Sequence, residues 1–76
     1  KERRRVQNQV ERAEKELAAL EQEEKALQAQ VMAVGLPAAE LDKGYARLGE
    51  LAQRIAVVMA DWEYAAARLN ELDVEV

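Results

Sequence analysis

Val34-Gly35-Leu36-Pro37-Ala38 is the stretch that decides the fold, because it separates two long segments of helical character. Gly35 suits the left-handed residue that commonly follows the end of a helix. Pro37 is tolerated at the start of the next helix, where a backbone N–H would have no intrahelical partner. Glu40 and Asp42 then fall near the positive end of that helix, where negative charge is favoured. A connection this short leaves two long helices to run antiparallel and side by side.

Apolar residues recur on both sides of this turn at alternating spacings of four and three, which is the heptad signature of coiled coils. In the first segment this apolar seam consists of Val6, Val10, Ala13, Leu17, Leu20, Leu27, Val31 and Val34, with Glu24 at the one position that lacks an apolar residue. In the second segment it consists of Leu48, Leu51, Ile55, Val58, Trp62, Ala65, Leu69, Leu72 and Val76. Leu41 and Tyr45 are expected to extend the second seam towards the turn with a small change of phase.

The sequence therefore predicts an all-α fold, an antiparallel two-helix coiled-coil hairpin that forms a single domain over residues 1–76. Helix one is expected at about 2–34, the turn at 35–38 and helix two at about 39–74. In such a hairpin, residues whose numbers add to about 73 lie opposite each other. This register brings the basic start of helix one, Arg3 to Arg5, beside Glu71, Asp73 and Glu75.

The composition excludes several classes of function. The 76 residues include no Cys and no His, so disulfides and the usual zinc sites are excluded, and no other metal site or cofactor is indicated. Ser and Thr are also absent, which leaves no common nucleophile or general base, and we expect no catalytic residue and no enzymatic activity. No stretch is predicted to span a membrane, and a cytoplasmic protein is expected. The chain starts without Met or an apolar leader, which suggests a fragment excised from a larger protein.

A basic stripe runs along the start of helix one. Lys1, Arg5, Asn8, Arg12 and Lys15 are spaced four, three, four and three, and they therefore share one face beside the apolar seam. Arg3 and Arg4 add to it, so residues 1–15 carry six basic and three acidic side chains although the whole chain has a net charge of −4. The stripe can follow a phosphate backbone. Alternatively, it is a flanking row that pairs with acids of helix two and holds the register.

Two smaller features lie on helix two. Near the turn, Lys43, Arg47 and Arg54 surround Tyr45, which could stack on a base or instead contribute to the core. Trp62 occupies a seam position and is expected to be a core anchor packed opposite Val10 and Ala13, whereas Tyr64, two residues further along, should point outward.

The chain resembles the C-terminal coiled-coil domain of the ABC-F ATPases, in particular the Uup-like group. The resemblance rests on the basic opening Lys1-Glu2-Arg3-Arg4, on Glu16-Leu17-Ala18-Ala19-Leu20-Glu21 in helix one, and on a late Trp62-Glu63 followed by Leu69-Asn70-Glu71-Leu72. It covers nearly the whole chain. Family members often have a longer connection containing Asp-Pro, whereas here the connection is Gly35-Leu36-Pro37.

The resemblance implies a parent protein that binds ATP and Mg²⁺ outside this chain and acts on ribosomes or nucleic acid. It implies nucleic-acid contacts, to DNA or ribosomal RNA, at Lys1, Arg3, Arg4, Arg5, Arg12 and Lys15, and the residues near the turn add Lys43, Arg47 and Arg54 as candidates. The alternative is a structural or protein–protein coiled coil: a spacer, a homodimerisation arm, or a helical arm of another translation enzyme such as a tRNA synthetase. Off-seam apolar residues such as Met32 and Val57 favour this alternative.

Overall fold

The computed structural model describes residues 1–75, with side chains through Val74, and shows a helical hairpin. Helix α1 spans Glu2–Val31 and helix α2 spans Ala38–Glu75. The two helices pack along their length into a rod of 58 × 15 × 15 Å, which confirms the predicted fold. Val76, the predicted end of the second seam, and the side chain of Glu75 lie outside the described part.

The turn forms as its residue types predict, but it begins earlier. Gly35 has a φ of 84°, in the left-handed region that glycine adopts without a steric penalty because it has no Cβ. The carbonyl of Pro37 accepts hydrogen bonds from the N–H groups of Glu40 and Leu41, both at 3.0 Å, and this starts α2. Helix α1 ends at Val31, so the prediction that Val34 belongs to the seam is wrong. Val34 is fully exposed, because the chain must leave the first helix before it can cross to the second.

The seam is continuous along α2, and one predicted member is replaced by its neighbour. Tyr45 was expected in the seam, but its side chain is 59% exposed, and Gly44 is buried in its place. The spacings of three and four therefore continue through Leu41, Gly44 and Leu48 without the predicted change of phase. Apolar patterning cannot detect Gly44, since this residue contributes to the seam by having no side chain.

The core of the hairpin is shallow. Among the described residues the buried apolar side chains are Val6, Ala13, Leu51, Val58 and Ala65. Leu51 is the one large side chain among them that is fully enclosed. The other seam residues that the structure describes are half-buried, because a hairpin two helices wide covers each seam from one side only.

Candidate nucleic-acid interface

One edge of the hairpin carries a ladder of ion pairs between the helices. Two arginines of α2 bond glutamates of α1 near the middle: Arg47 Nε and Nη2 donate to the two oxygens of Glu23 at 2.7 and 3.0 Å, and Arg54 Nη2 lies 2.6 Å from Glu16 Oε2. At the open end Arg68 Nη2 donates to Glu2 Oε1 at 2.8 Å. The residue numbers of each pair add to 70, so these pairs recur at multiples of seven residues and fix one register.

The ladder shifts the pKa values of its members in the directions expected for ion pairs. The hydrogen bond from Arg47 lowers the pKa of the Glu23 carboxyl below 4.5, and the hydrogen bond from Arg68 does the same for Glu2. The reciprocal bonds raise the pKa values of the two guanidinium groups. Both pairs are therefore fully ionised at neutral pH.

The opposite edge has a different register. Arg3 Nε donates to Asp73 Oδ1, and Trp62 Nε1 donates to Glu14 Oε2 at 3.2 Å; the residue numbers of each pair add to 76. The sums of paired residue numbers on the two edges, 70 and 76, average the predicted 73. The predicted pairing at the open end is confirmed for Arg3 and Asp73. Trp62 is half-buried at its seam position, with its indole N–H satisfied by Glu14.

The structure divides the nine candidate nucleic-acid-binding residues into two groups. Four already hold carboxylates: Arg3 with Asp73, Lys43 with Glu40, Arg47 with Glu23 and Arg54 with Glu16. The other five are exposed and make no ion pair with any acid whose side chain the structure describes. These five are Lys1, Arg4, Arg5, Arg12 and Lys15.

These five cations, together termed the free basic face, lie on the outer side of α1. Lys1 and Lys15 stand opposite the seam, and Arg5 and Arg12 lie on the row beside them. With a rise of about 1.5 Å per residue, the face is roughly 21 Å long, and Arg5 and Arg12 lie about 10 Å apart along it. The alternative prediction gave this stripe the task of pairing with α2. Among the described side chains, Arg3 of the stripe does this by bonding Asp73, whereas the other ion pairs between the helices join glutamates of α1 to arginines of α2.

The smaller basic group near the turn is not assembled around one aromatic ring. Tyr45 is exposed, but it lies two residues before Arg47, and residues two apart on a helix point to different sides. Arg47 belongs to the ladder edge, whereas Tyr45 lies at the opposite edge. A base stacked on Tyr45 would therefore not meet the Arg47 guanidinium.

The ladder has one incomplete position, which sequence reasoning missed. Its repeat places Gln9 opposite Asp61, where the neighbouring positions have a glutamate and an arginine. A groove of about 330 Å³ opens there, over a floor of small side chains that includes Ala13 and Ala65. Arg12 and Tyr64 are among its lining residues. The signal available in the sequence was the seven-residue repeat of Glu2, Gln9, Glu16 and Glu23, in which Gln9 is the one uncharged member.

In the part of the chain that the structure describes, neither helix has a stretch long and apolar enough to cross a membrane. Comparison of the chain with protein-family models, with curated proteins and with solved structures finds no match.

Proposed function

We propose that this hairpin is a non-catalytic accessory arm that contacts nucleic acid through the free basic face of α1. The observation that supports this proposal is the division of cations: those between the helices hold carboxylates of the other helix, and the outward-facing cations at the start of α1 hold none that the structure describes. A cation without a protein partner can neutralise a phosphate without first breaking an ion pair. The net charge of −4 makes this local face, and not the whole molecule, the attractive surface.

The mode of contact follows from the side chains present. Lysine and arginine bind phosphate oxygens, and arginine can do so with two parallel hydrogen bonds. Phosphate contacts position a protein on nucleic acid but do not read the base sequence. The face also presents Asn8, whose amide can bond a phosphate or a sugar hydroxyl. We therefore expect weak binding that tolerates many sequences and falls steeply with salt.

The same proposal includes the identity of the parent protein. The resemblance to the C-terminal domain of ABC-F ATPases supports a cytoplasmic parent that binds ATP and Mg²⁺ elsewhere and works on ribosomes or DNA. In that setting the rod would extend from the ATPase and hold nucleic acid near its open end, where the free basic face lies.

The test is a titration of the chain with duplex DNA and with structured RNA at low and at moderate salt. Changing Arg5, Arg12 and Lys15 together to Glu is expected to abolish binding that is measurable at low salt. Circular dichroism would establish that the variant is still helical, which is expected because none of the three side chains holds α2. Unchanged affinity of this variant would refute the proposal.

A further inference from the structure

The hairpin exposes more surface than a folded chain of its mass ordinarily does. Its accessible surface is 5943 Å², whereas the usual scaling with mass gives about 4,700 Å² for 8.5 kDa. The excess exceeds the surface of roughly 800 Å² that each partner buries in a standard protein interface. Part of it is apolar, since Val57 is 51% exposed and Tyr64 is 79% exposed. Covering one long side of the rod would give it the surface of an ordinary small protein.

One long side carries two exposed rows of complementary character, each repeating every seven residues. Row one lies on α1 and consists of Arg5, Arg12, Ala19 and Ala26. Row two lies on α2 and consists of Glu71, Tyr64, Val57 and Glu50. Arg12 and Tyr64 both line the groove at the incomplete ladder position, which places the two rows on the same side of the hairpin.

We propose that a second copy of this chain covers this side, with the two turns at the same end and a twofold axis parallel to the rods. A rotation about that axis leaves the position of every residue along the rod unchanged. It sets row one of each copy against row two of the other. Arg5 then meets Glu71, Arg12 meets the ring of Tyr64, and Ala19 meets Val57. Each contact occurs twice, and the product is a four-helix bundle with the two ladders near its centre.

The charges select this partner and this direction. Arg5 faces a carboxylate in the other copy, and Glu71 has exposed surface left to accept it, although Arg68 of its own chain already donates to it at 3.1 Å. In the dimer, the Arg12 guanidinium of one copy lies over the Tyr64 ring of the other copy in a cation–π contact. Asp61 lies at the same groove. The small side chains of Ala19 and Ala26 let the second copy approach closely. A reversed copy would set row one against row one and lose the pairing of opposite charges.

This inference does not depend on nucleic-acid binding. Lys1, Arg4 and Lys15 lie off row one and stay on the outside of the bundle, whereas Arg5 and Arg12 face the second copy, so in the dimer the contacts to nucleic acid fall to Lys1, Arg4 and Lys15. We therefore test association in a buffer free of nucleic acid, so that either proposal can fail while the other stands.

The first measurement is sedimentation equilibrium of the 76-residue chain from micromolar to near-millimolar concentrations. A reversible dimer is expected. Tyr64→Ala should raise its dissociation constant about tenfold or more, since two aromatic contacts are lost per dimer. Tyr45→Ala is the matched control, because Tyr45 is also exposed but lies at the opposite edge, and it should leave the dissociation constant unchanged.

The second measurement exchanges charges between copies. Arg5→Glu alone and Glu71→Arg alone should each weaken the dimer, because like charges then meet twice. An equimolar mixture of the two variants should restore it, because both contacts of the mixed dimer again join opposite charges. A chain that stays monomeric throughout the concentration range overturns the inference. So does a dimer that Tyr45→Ala weakens and Tyr64→Ala does not, or single variants whose mixture shows no recovery.

Discussion

Gly44 of α2 lies directly against Val31 of α1, so closely that a Cβ added to the glycine would stand 2.5 Å from Val31 Cγ1. Gly44 is therefore a seam residue at which the two helices approach closely, at the end of the hairpin that carries the turn. We expect Gly44→Ala to destabilise the hairpin by about 1–2 kcal/mol, since overpacking against a β-branched side chain outweighs the gain in helix propensity. Urea denaturation followed by circular dichroism, at a fixed chain concentration, measures this change.

Gly49 provides the control for Gly44, because it lies in the same helix and a Cβ there would meet nothing within 4 Å apart from its own stretch of helix. Gly49→Ala should therefore stabilise the hairpin by about 0.5–1 kcal/mol through helix propensity alone. Adding Val31→Ala to Gly44→Ala should recover part of the loss, because it removes the clashing methyl group. Equal effects of the two glycine substitutions would contradict the close approach.

The sequence was sufficient to predict the architecture, because Leu48, Leu51, Ile55 and Val58 repeat at heptad spacing and Gly35-Leu36-Pro37 ends the repeat. It was also sufficient for the pairing of Arg3 with Asp73, since a short turn fixes which residues are opposite. The seam near the turn was mispredicted, because the heptad pattern is recognised by its large apolar side chains. Tyr45 has such a side chain, whereas Gly44 has none. Which basic residues are free could not be predicted, because that depends on which edge of the hairpin each one faces.

The incomplete ladder position gives a prediction about stability. Gln9→Arg would place a guanidinium opposite Asp61, in the register that joins Glu16 to Arg54 and Glu2 to Arg68. We expect a gain of up to about 1 kcal/mol in the free energy of unfolding, as for other exposed ion pairs. The control is Asn8→Arg, which adds the same charge on the outer side of α1 and should leave the stability unchanged. The measurement is the urea midpoint at low salt, and the gain should shrink as salt is added.

The ladder also gives a prediction about pH. Hydrogen bonds from arginine lower the pKa values of Glu2 and Glu23 below 4.5, so the folded state binds protons to them less readily than the unfolded state. Their contribution to stability is present above that pH, and it is lost as the pH falls through the lowered values. The urea concentration at the unfolding midpoint should therefore decrease as the pH is lowered below about 4.5.

Replacing both Glu2 and Glu23 by Gln tests this assignment. The double variant should be less stable than the native chain near neutral pH, where the native pairs are ionised. The difference should narrow as the pH is lowered, because protonation removes the same pairs from the native chain. A difference that stays constant with pH would show that these two carboxyls do not titrate as assigned.

The free basic face is tested most directly by two lysines of the same helix. Lys15 belongs to this face. Lys25 is also exposed on α1, but it lies ten residues further along the helix, beyond the end of the free basic face. Lys15→Glu and Lys25→Glu change the net charge equally, so a purely global attraction would weaken equally in both. We expect Lys15→Glu to reduce the affinity for duplex DNA and to lower the slope of log affinity against log salt by about 1, the loss of one phosphate contact. Lys25→Glu should leave that slope unchanged, since a lysine remote from the bound phosphates releases no counterion when nucleic acid binds.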